Sequence, residues 1–136
     1  MDKRELEQIL YSYPYVVAEN KNIKLELERM EIQGVKPVSY DFKPKSHSKG
    51  SVVEEEVIHL DATRQALEGK YRQNEILIEK IENSLSVLDE NEREIIKRIY
   101  FKRYKSKDIA QQLYLTHIYV SILKKTALNK LMQIFK

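Results

Sequence analysis

Turn-forming residues are scarce in this chain, and that scarcity constrains the fold more than any other feature. The 136 residues include three glycines, three prolines and no tryptophan, too few turn-makers for a β-sandwich or a dinucleotide-binding α/β unit. Residues that favour helices, such as leucine, isoleucine, glutamate, lysine and glutamine, are plentiful. The sequence therefore predicts an all-α protein, folded as one compact domain or as two small ones.

Two long helices joined by a linker are predicted in the amino-terminal part. Residues 1–33 carry apolar side chains at three- and four-residue steps. Because Pro14 removes a backbone hydrogen bond, we expect a short helix, a kink or restart near residues 12–14, and then a second helical stretch. Residues 34–50, GVKPVSYDFKPKSHSKG, show no periodicity and are expected to form a flexible linker. Residues 51–88 are predicted to form the second long helix.

The second helix has a seven-residue repeat that suits a coiled-coil seam. Its apolar stripe runs from Val57 to Leu88, and Arg64 and Asn74 occupy the two polar positions in the stripe. A polar residue in a seam can fix register or partner number at some cost in stability. The seam can close against the first helix, as a coiled-coil-like pair, or against a second copy, and we expect a homo-oligomer with a dimer favoured.

Charge is distributed unevenly along the chain. Residues 97–136 contain ten lysines and arginines and one acidic residue, whereas residues 1–96 contain fourteen basic and twenty acidic residues. A concentrated basic segment is typical of a protein that binds phosphate backbones, because each neutralised phosphate releases condensed counterions. A solvated lysine-rich surface is the alternative interpretation.

Residues 89–136 have the spacing of a helix-turn-helix domain. Asp89, Ser106 and Thr116 are predicted helix caps, and the last two lie ten residues apart, as two short helices with a three-residue turn require. Ala110 is the small residue needed at the helix crossing, and Val120 is the apolar residue that fills the angle between the helices. The residues predicted to face inward are Ile109, Ala110, Leu113, Val120, Leu123, Ala127, Leu128, Leu131 and Ile134.

The segment LDENEREIIKRIYFKRYKSKDIAQQLYLTHIYVSILKKTALNKL resembles region 4 of the σ70-type transcription initiation factors. The shared pattern comprises Leu88, Glu92, Arg93, Tyr100, Ser106, Ile109, Ala110, Ala127, Leu128 and Leu131. The layout of the whole chain, with Leu6, Tyr13 and Glu19, is similar to the RinA/ArpU group of small phage and prophage transcription regulators. This resemblance implies an activator of late genes that binds double-stranded DNA and acts with RNA polymerase.

Two features depart from the region 4 pattern. The turn glycine is replaced by Tyr114, and a left-handed turn there would cost a non-glycine residue about 1 kcal/mol or more. Either the turn adjusts, or the Tyr114 ring packs on a neighbouring helix. The charged base readers of region 4 are replaced by His117, Ile118, Ser121 and Ile122, so the promoter preference of that family does not transfer.

The predicted DNA-binding residues lie mainly on the second helix of the pair. Residues 116–125 are expected to enter a major groove, with His117, Tyr119 and Ser121 at base edges. Lysines on both helices are expected to anchor phosphates. The complete predicted set is Ser106, Lys107, Thr116, His117, Ile118, Tyr119, Ser121, Ile122, Lys124 and Lys125.

Two other functional classes are compatible with the sequence as alternatives to a transcriptional regulator. They are a DNA-packaging subunit of the small-terminase type and a helical adaptor protein. No glycine-rich phosphate loop, Ser/His/Asp grouping or cysteine is present, and the three histidines are scattered, so we expect no enzyme, metal or cofactor. The start, MDKRELEQIL, is too charged for a signal peptide, and no run of about 18 apolar residues follows, so we expect a protein of the bacterial cytoplasm with no membrane contact.

Overall fold

A computed structural model describes residues 1–34 and 50–135, and the side chains from Ile58 onward in the second range. These residues form five α-helices and contain no strand, which confirms the all-α prediction. The helices are α1 (Lys3–Ile32), α2 (Gly50–Leu85), α3 (Glu90–Ile96), α4 (Ser106–Leu113) and α5 (His117–Ile134), with a π-helical segment (Lys97–Phe101) directly after α3. Most of the predicted linker, residues 35–49, lies outside the described residues. Within the described ranges, no helix is long and apolar enough to cross a membrane.

The chain divides into two compact units, Met1–Val17 with Ile76–Lys136 as the first and Ala18–Glu75 as the second. In the second unit, α1 and α2 pack against each other in antiparallel directions. The Asn74 side chain donates a hydrogen bond to Glu19 Oε1 at 2.7 Å, and the Asn20 side chain donates one to the Tyr71 carbonyl at 3.1 Å. The polar seam position Asn74 is therefore buried and bonded within the same chain, so in this unit the seam of α2 closes against α1.

The first unit has a single apolar core to which α1 contributes. Leu6 and Leu10 of α1 are buried together with side chains from α2, α3, the π-helical segment, α4 and α5. Residues 1–17 therefore belong to the same core as the predicted helix-turn-helix. The remaining buried members of this core are Ile81, Leu85, Leu88, Ile95, Ile96, Ile99, Tyr100, Ile109, Ala110, Val120, Ala127, Leu128, Leu131 and Phe135.

The expectation that the first helix ends and restarts near Pro14 is wrong, because α1 runs without a break from Lys3 to Ile32. A proline inside a helix costs about 3 kcal/mol through a lost hydrogen bond and a clash with the preceding turn. The residue before Pro14, Tyr13, packs against the core of the first unit. The Tyr13 ring stacks on Phe101 with a centroid separation of 4.3 Å, and its hydroxyl donates to Glu82 Oε1 at 3.1 Å.

The prediction that Ile134 faces inward is wrong. Its side chain is 46% exposed, whereas Phe135, the next residue, is only 6% exposed. Ile134 is the last residue of α5, and Phe135 leaves the helix with an extended backbone, φ −80° and ψ 109°. This change of backbone turns the Phe135 ring into the core, so Phe135 supplies the apolar side chain expected from Ile134.

Candidate nucleic-acid interface

Helices α4 and α5 form a helix-turn-helix connected by residues 114–116. Ala110 and Val120 are both buried, as their predicted roles at the helix crossing and in the inter-helix angle require. Leu113, Leu115 and Leu123 are partly buried against the same core. The sequence spacing therefore predicted the packing of this helix pair correctly.

The turn keeps the left-handed geometry that normally selects glycine. Tyr114 has φ 57° and ψ 40°, and its N–H lies 3.4 Å from the Gln111 carbonyl oxygen. The Leu115 N–H donates to the Ala110 carbonyl at 2.9 Å, which completes the hydrogen-bond pattern of a Schellman motif. The Tyr114 side chain is 95% exposed, so the idea that its ring packs on a neighbouring helix is wrong.

Two of the three predicted caps are confirmed. Thr116 Oγ1 accepts a hydrogen bond from the Tyr119 N–H at 3.1 Å at the start of α5. Asp89 is the N-cap of α3, and its N–H donates to Glu92 Oε1 at 2.9 Å. The prediction for Ser106 is wrong by one position, because Lys105 has the extended backbone of the cap and its carbonyl accepts the first helical bond, from Ile109. Ser106 is the first residue of α4.

The outer face of α5 brings together half of the predicted DNA-binding residues. His117, Ile118, Ser121, Ile122 and Lys125 are all exposed, and their spacing of one, four, five and eight residues places them on one side of the helix. We call these five residues the α5 outer face.

The remaining predicted residues lie beside this face or on the other helix. Tyr119 is 44% exposed and Lys124 is half-buried, and both lie at the flanks of the α5 outer face. Thr116 uses its hydroxyl as the helix cap. Ser106 and Lys107 lie in the first turn of α4, where Lys107 is exposed and Ser106 is half-buried.

Cations around the helix pair are available for a polyanion. Among the described residues, Lys102, Lys105, Lys107, Lys124 and Lys125 form no ion pair with a carboxylate. The ammonium group of Lys124 lies 5.9 Å from the Tyr100 ring centroid, so part of this side chain covers the core and its charge remains near the helix pair.

Other cations of the basic segment serve the fold instead. Lys130 Nζ lies 2.9 Å from Glu92 Oε1, and Arg98 Nε lies 3.2 Å from Glu94 Oε2. The Arg103 guanidinium lies 4.4 Å above the centre of the Tyr11 ring, a cation–π contact. The excess positive charge counted from the sequence is therefore divided between structural contacts and the lysines that lie on α4 and α5 or shortly before α4.

The Glu92 carboxylate joins α3 to α5. Burial alone would raise its pKa, but hydrogen bonds from the Asp89 N–H and the Lys130 ammonium outweigh that effect and hold the pKa below its usual value. These hydrogen bonds stabilise the ionised form of the buried Glu92 carboxyl group. This contact fixes the position of α5, on which the candidate interface lies.

A second polar contact, which sequence reasoning missed, joins α1 to the π-helical segment. The Tyr100 hydroxyl donates to Glu7 Oε2 at 2.7 Å, and Tyr11 meets the Tyr100 ring edge-on at a centroid distance of 4.8 Å. Burial and the adjacent Glu7 carboxylate both raise the pKa of Tyr100. Because Glu7 and Tyr100 lie 93 residues apart, no local pattern could have indicated this contact.

Comparison with known families agrees with this geometry. Residues 84–133 match the family model described as Sigma-70, region 4. Neither the curated proteins nor the solved structures gave a match to the chain. The matched residues contain α3, the π-helical segment, α4 and nearly all of α5. This part of the chain is therefore a σ70 region 4-like helix-turn-helix, and the match supports a DNA-binding regulatory role.

Proposed function

We propose that this protein is a sequence-specific DNA-binding transcriptional regulator. The observation that carries the proposal is the α5 outer face: an exposed helix surface, on a region 4-like helix-turn-helix, flanked by lysines that have no carboxylate partner among the described residues. An α-helix fits the major groove of B-DNA, where every base pair presents a distinct pattern of donors, acceptors and methyl groups.

In the proposed complex, α5 enters the major groove through its first two turns. His117 and Ser121 lie on the α5 outer face and reach base edges, and Tyr119 reaches them from its flank. Lys107 from α4 and Lys125 from α5 contact phosphates, which set the orientation of the protein without reading sequence. The Thr116 cap leaves further N–H groups of the first turn of α5 free to face the DNA backbone.

The region 4 likeness further suggests a contact with RNA polymerase. A regulator that holds such a domain on promoter DNA can recruit or position the polymerase, which makes it an activator. We place the protein in the RinA/ArpU-like group, with phage or prophage late genes as its targets in the bacterial cytoplasm. The antiparallel α1–α2 pair of the second unit supplies the surface for a dimer partner or for the polymerase.

Selection of bound duplexes from a random pool by the full chain tests this proposal, with mass in solution measured in parallel. We expect a recovered motif, a mass no larger than a dimer, and a change in the preferred sequence for His117→Ala or Ser121→Ala. Lys125→Ala should instead weaken binding to all duplexes. Lys70→Ala, which changes an exposed lysine of the second unit, is the matched control and should have no effect.

Several outcomes would contradict the proposal. Salt-sensitive binding without a motif, together with a ring-sized assembly, would favour a DNA-packaging subunit. Absence of duplex binding at any salt concentration would favour an adaptor protein. Equal effects of His117→Ala, Ser121→Ala and Lys125→Ala would show that α5 is not the recognition helix.

A further inference from the structure

Two isoleucines of the α5 outer face are exposed to solvent. Ile118 is 73% exposed and Ile122 is 53% exposed, although large aliphatic side chains usually lie inside a protein. They are four residues apart on one helix, so their side chains lie next to each other. They form one apolar patch rather than two isolated surface residues.

The fold does not require an apolar side chain at either of these two positions. The core of the helix pair is filled by Val120, Leu123 and Ala127 from the opposite side of α5. Isoleucine is also a slightly weaker helix former than leucine or lysine because its branched Cβ restricts the side chain within a helix. A polar residue at either position would leave the core intact.

The surroundings of the patch favour a polyanion over another protein surface. Ser121 and Lys125 share the face with the isoleucines, and Lys124 lies at its flank. If two copies of this face met, their lysines would be brought together and would repel each other. The two side chains also offer far less area than the roughly 800 Å² per partner that a stable protein interface buries.

Double-stranded DNA presents one apolar group in its major groove, the C5 methyl of thymine. We propose that Ile118 and Ile122 contact thymine methyl groups and thereby select thymine at defined positions of the target site. This inference rests on the proposed function, and it adds the base chemistry that the outer face recognises. The polar neighbours Ser121 and His117 would bond to adjacent base edges.

The spacing of the two isoleucines predicts the spacing of the thymines. Four residues of helix correspond to a rise of about 6 Å, and successive bases on a strand are about 3.4 Å apart. When the helix lies along the groove, the two side chains span about two base steps. The selected site should therefore contain two thymines one or two positions apart, on the same strand or on opposite strands.

Uracil substitution tests the inference because it removes the methyl group and leaves the base-pairing edge unchanged. The probe is the duplex recovered from the random pool, with each thymine replaced singly by deoxyuridine. We expect wild-type binding to weaken about fourfold at the two contacted positions, the effect of one buried methyl group, and hardly at all elsewhere. Ile118→Ala should weaken binding to the thymine duplex several-fold but become nearly insensitive to uracil at one position. Ile122→Ala should do the same at the other position.

The variants provide their own controls. Both isoleucines are exposed, so alanine should leave the far-UV circular dichroism and the thermal midpoint of the full chain unchanged. Val87→Ala, at a position that is 53% exposed between α2 and α3, should bind both duplexes as the wild type does. Pairing each protein variant with each base change isolates the direct contact from effects of uracil on DNA shape.

Each failure has a distinct meaning. Tight, motif-specific binding that does not distinguish thymine from uracil would overturn this inference and leave the proposed function in place. If both isoleucine variants remained as sensitive to uracil as the wild type, the inference would likewise be overturned and the proposed function would stand. If Ile118→Ala and Ile122→Ala lowered the mass of the protein in solution, the patch would be a contact between copies, and the inference would be wrong. Absence of any duplex binding would overturn both the inference and the proposed function.

Discussion

Replacement of Tyr114 by glycine should stabilise the protein, contrary to the usual effect of deleting an aromatic side chain. Tyr114 has φ 57°, in the left-handed region, where an L-residue with a Cβ pays a steric cost. Its side chain is 95% exposed, so the substitution removes almost no packing. Both hydrogen bonds of the turn involve backbone atoms and survive the change.

The expected gain is the difference between two terms. Relief of the left-handed strain is worth about 1–2 kcal/mol, and the greater freedom of glycine in the unfolded chain costs about 0.4–1 kcal/mol. The free energy of unfolding should therefore rise by about 0.5–1 kcal/mol. With a urea m-value of about 1.5 kcal/mol/M, the midpoint should move upward by about 0.5 M.

Urea unfolding followed by far-UV circular dichroism measures this shift, and two further variants separate its causes. Tyr114→Ala keeps a Cβ in the left-handed region and should stay within about 0.5 kcal/mol of the wild type. Arg103→Gly relieves the same strain at φ 59° but loses the contact with the Tyr11 ring, so the two effects should largely cancel. An equal m-value in all four proteins is required for the comparison.

A lower midpoint for Tyr114→Gly would contradict the strain assigned to the turn. A decrease shared by Tyr114→Ala would mean that the Tyr114 ring packs against the protein. A decrease in Tyr114→Gly alone would mean that the turn does not adopt the left-handed conformation.

Two further predictions concern the core and the buried carboxylate. In urea titrations, Leu10→Ala should lower the free energy of unfolding by about 2–5 kcal/mol, because Leu10 is buried in the core. Duplex binding by this variant should weaken at urea concentrations near its lowered unfolding midpoint. Leu25→Ala, at an exposed position of α1, should change the free energy of unfolding by less than about 0.5 kcal/mol. Glu92→Gln should cost about 2 kcal/mol near pH 7, because a buried carboxylate with a lowered pKa contributes stability above its unfolded-state pKa. In urea titrations of both proteins, this cost should shrink as the pH falls below 4.5, the ordinary pKa of a glutamate, toward the lowered pKa of Glu92 in the folded protein. A difference independent of pH would contradict the assignment.

Local sequence patterns predicted the helix pair and its core because the relevant contacts lie close together along the chain. Ala110, Val120 and the Thr116 cap interact over ten residues or fewer, so spacing alone defines their geometry. The outward direction of Ile118 and Ile122 follows from the same helical period.

Contacts between distant residues could not be predicted in this way. The bond between Tyr100 and Glu7, and the burial of Leu6 and Leu10 in the core of the first unit, depend on tertiary packing that no local period encodes. Pro14 is the converse case, because the local rule for proline predicted a break in the helix and the packed helix has none.

Element ends were a further source of error. Lys105 rather than Ser106 has the extended cap conformation, and the change of backbone at Phe135 reverses the expected exposure of Ile134 and its neighbour. Both errors amount to one residue. Helix ends depend on which backbone groups the surrounding structure can satisfy, and side-chain preference is only one part of that balance.

The salt dependence of duplex binding tests the central claim, that the α4–α5 pair binds DNA, most directly. The affinity of the full chain for the selected duplex should fall linearly on a plot of log K against log salt concentration. Lys107→Ala and Lys125→Ala should each reduce the slope by about 0.9, the value for one lost phosphate contact, and Lys70→Ala should leave the slope unchanged. A slope near zero, or an equal reduction by Lys70→Ala, would contradict the assignment of the DNA-binding surface to α4 and α5.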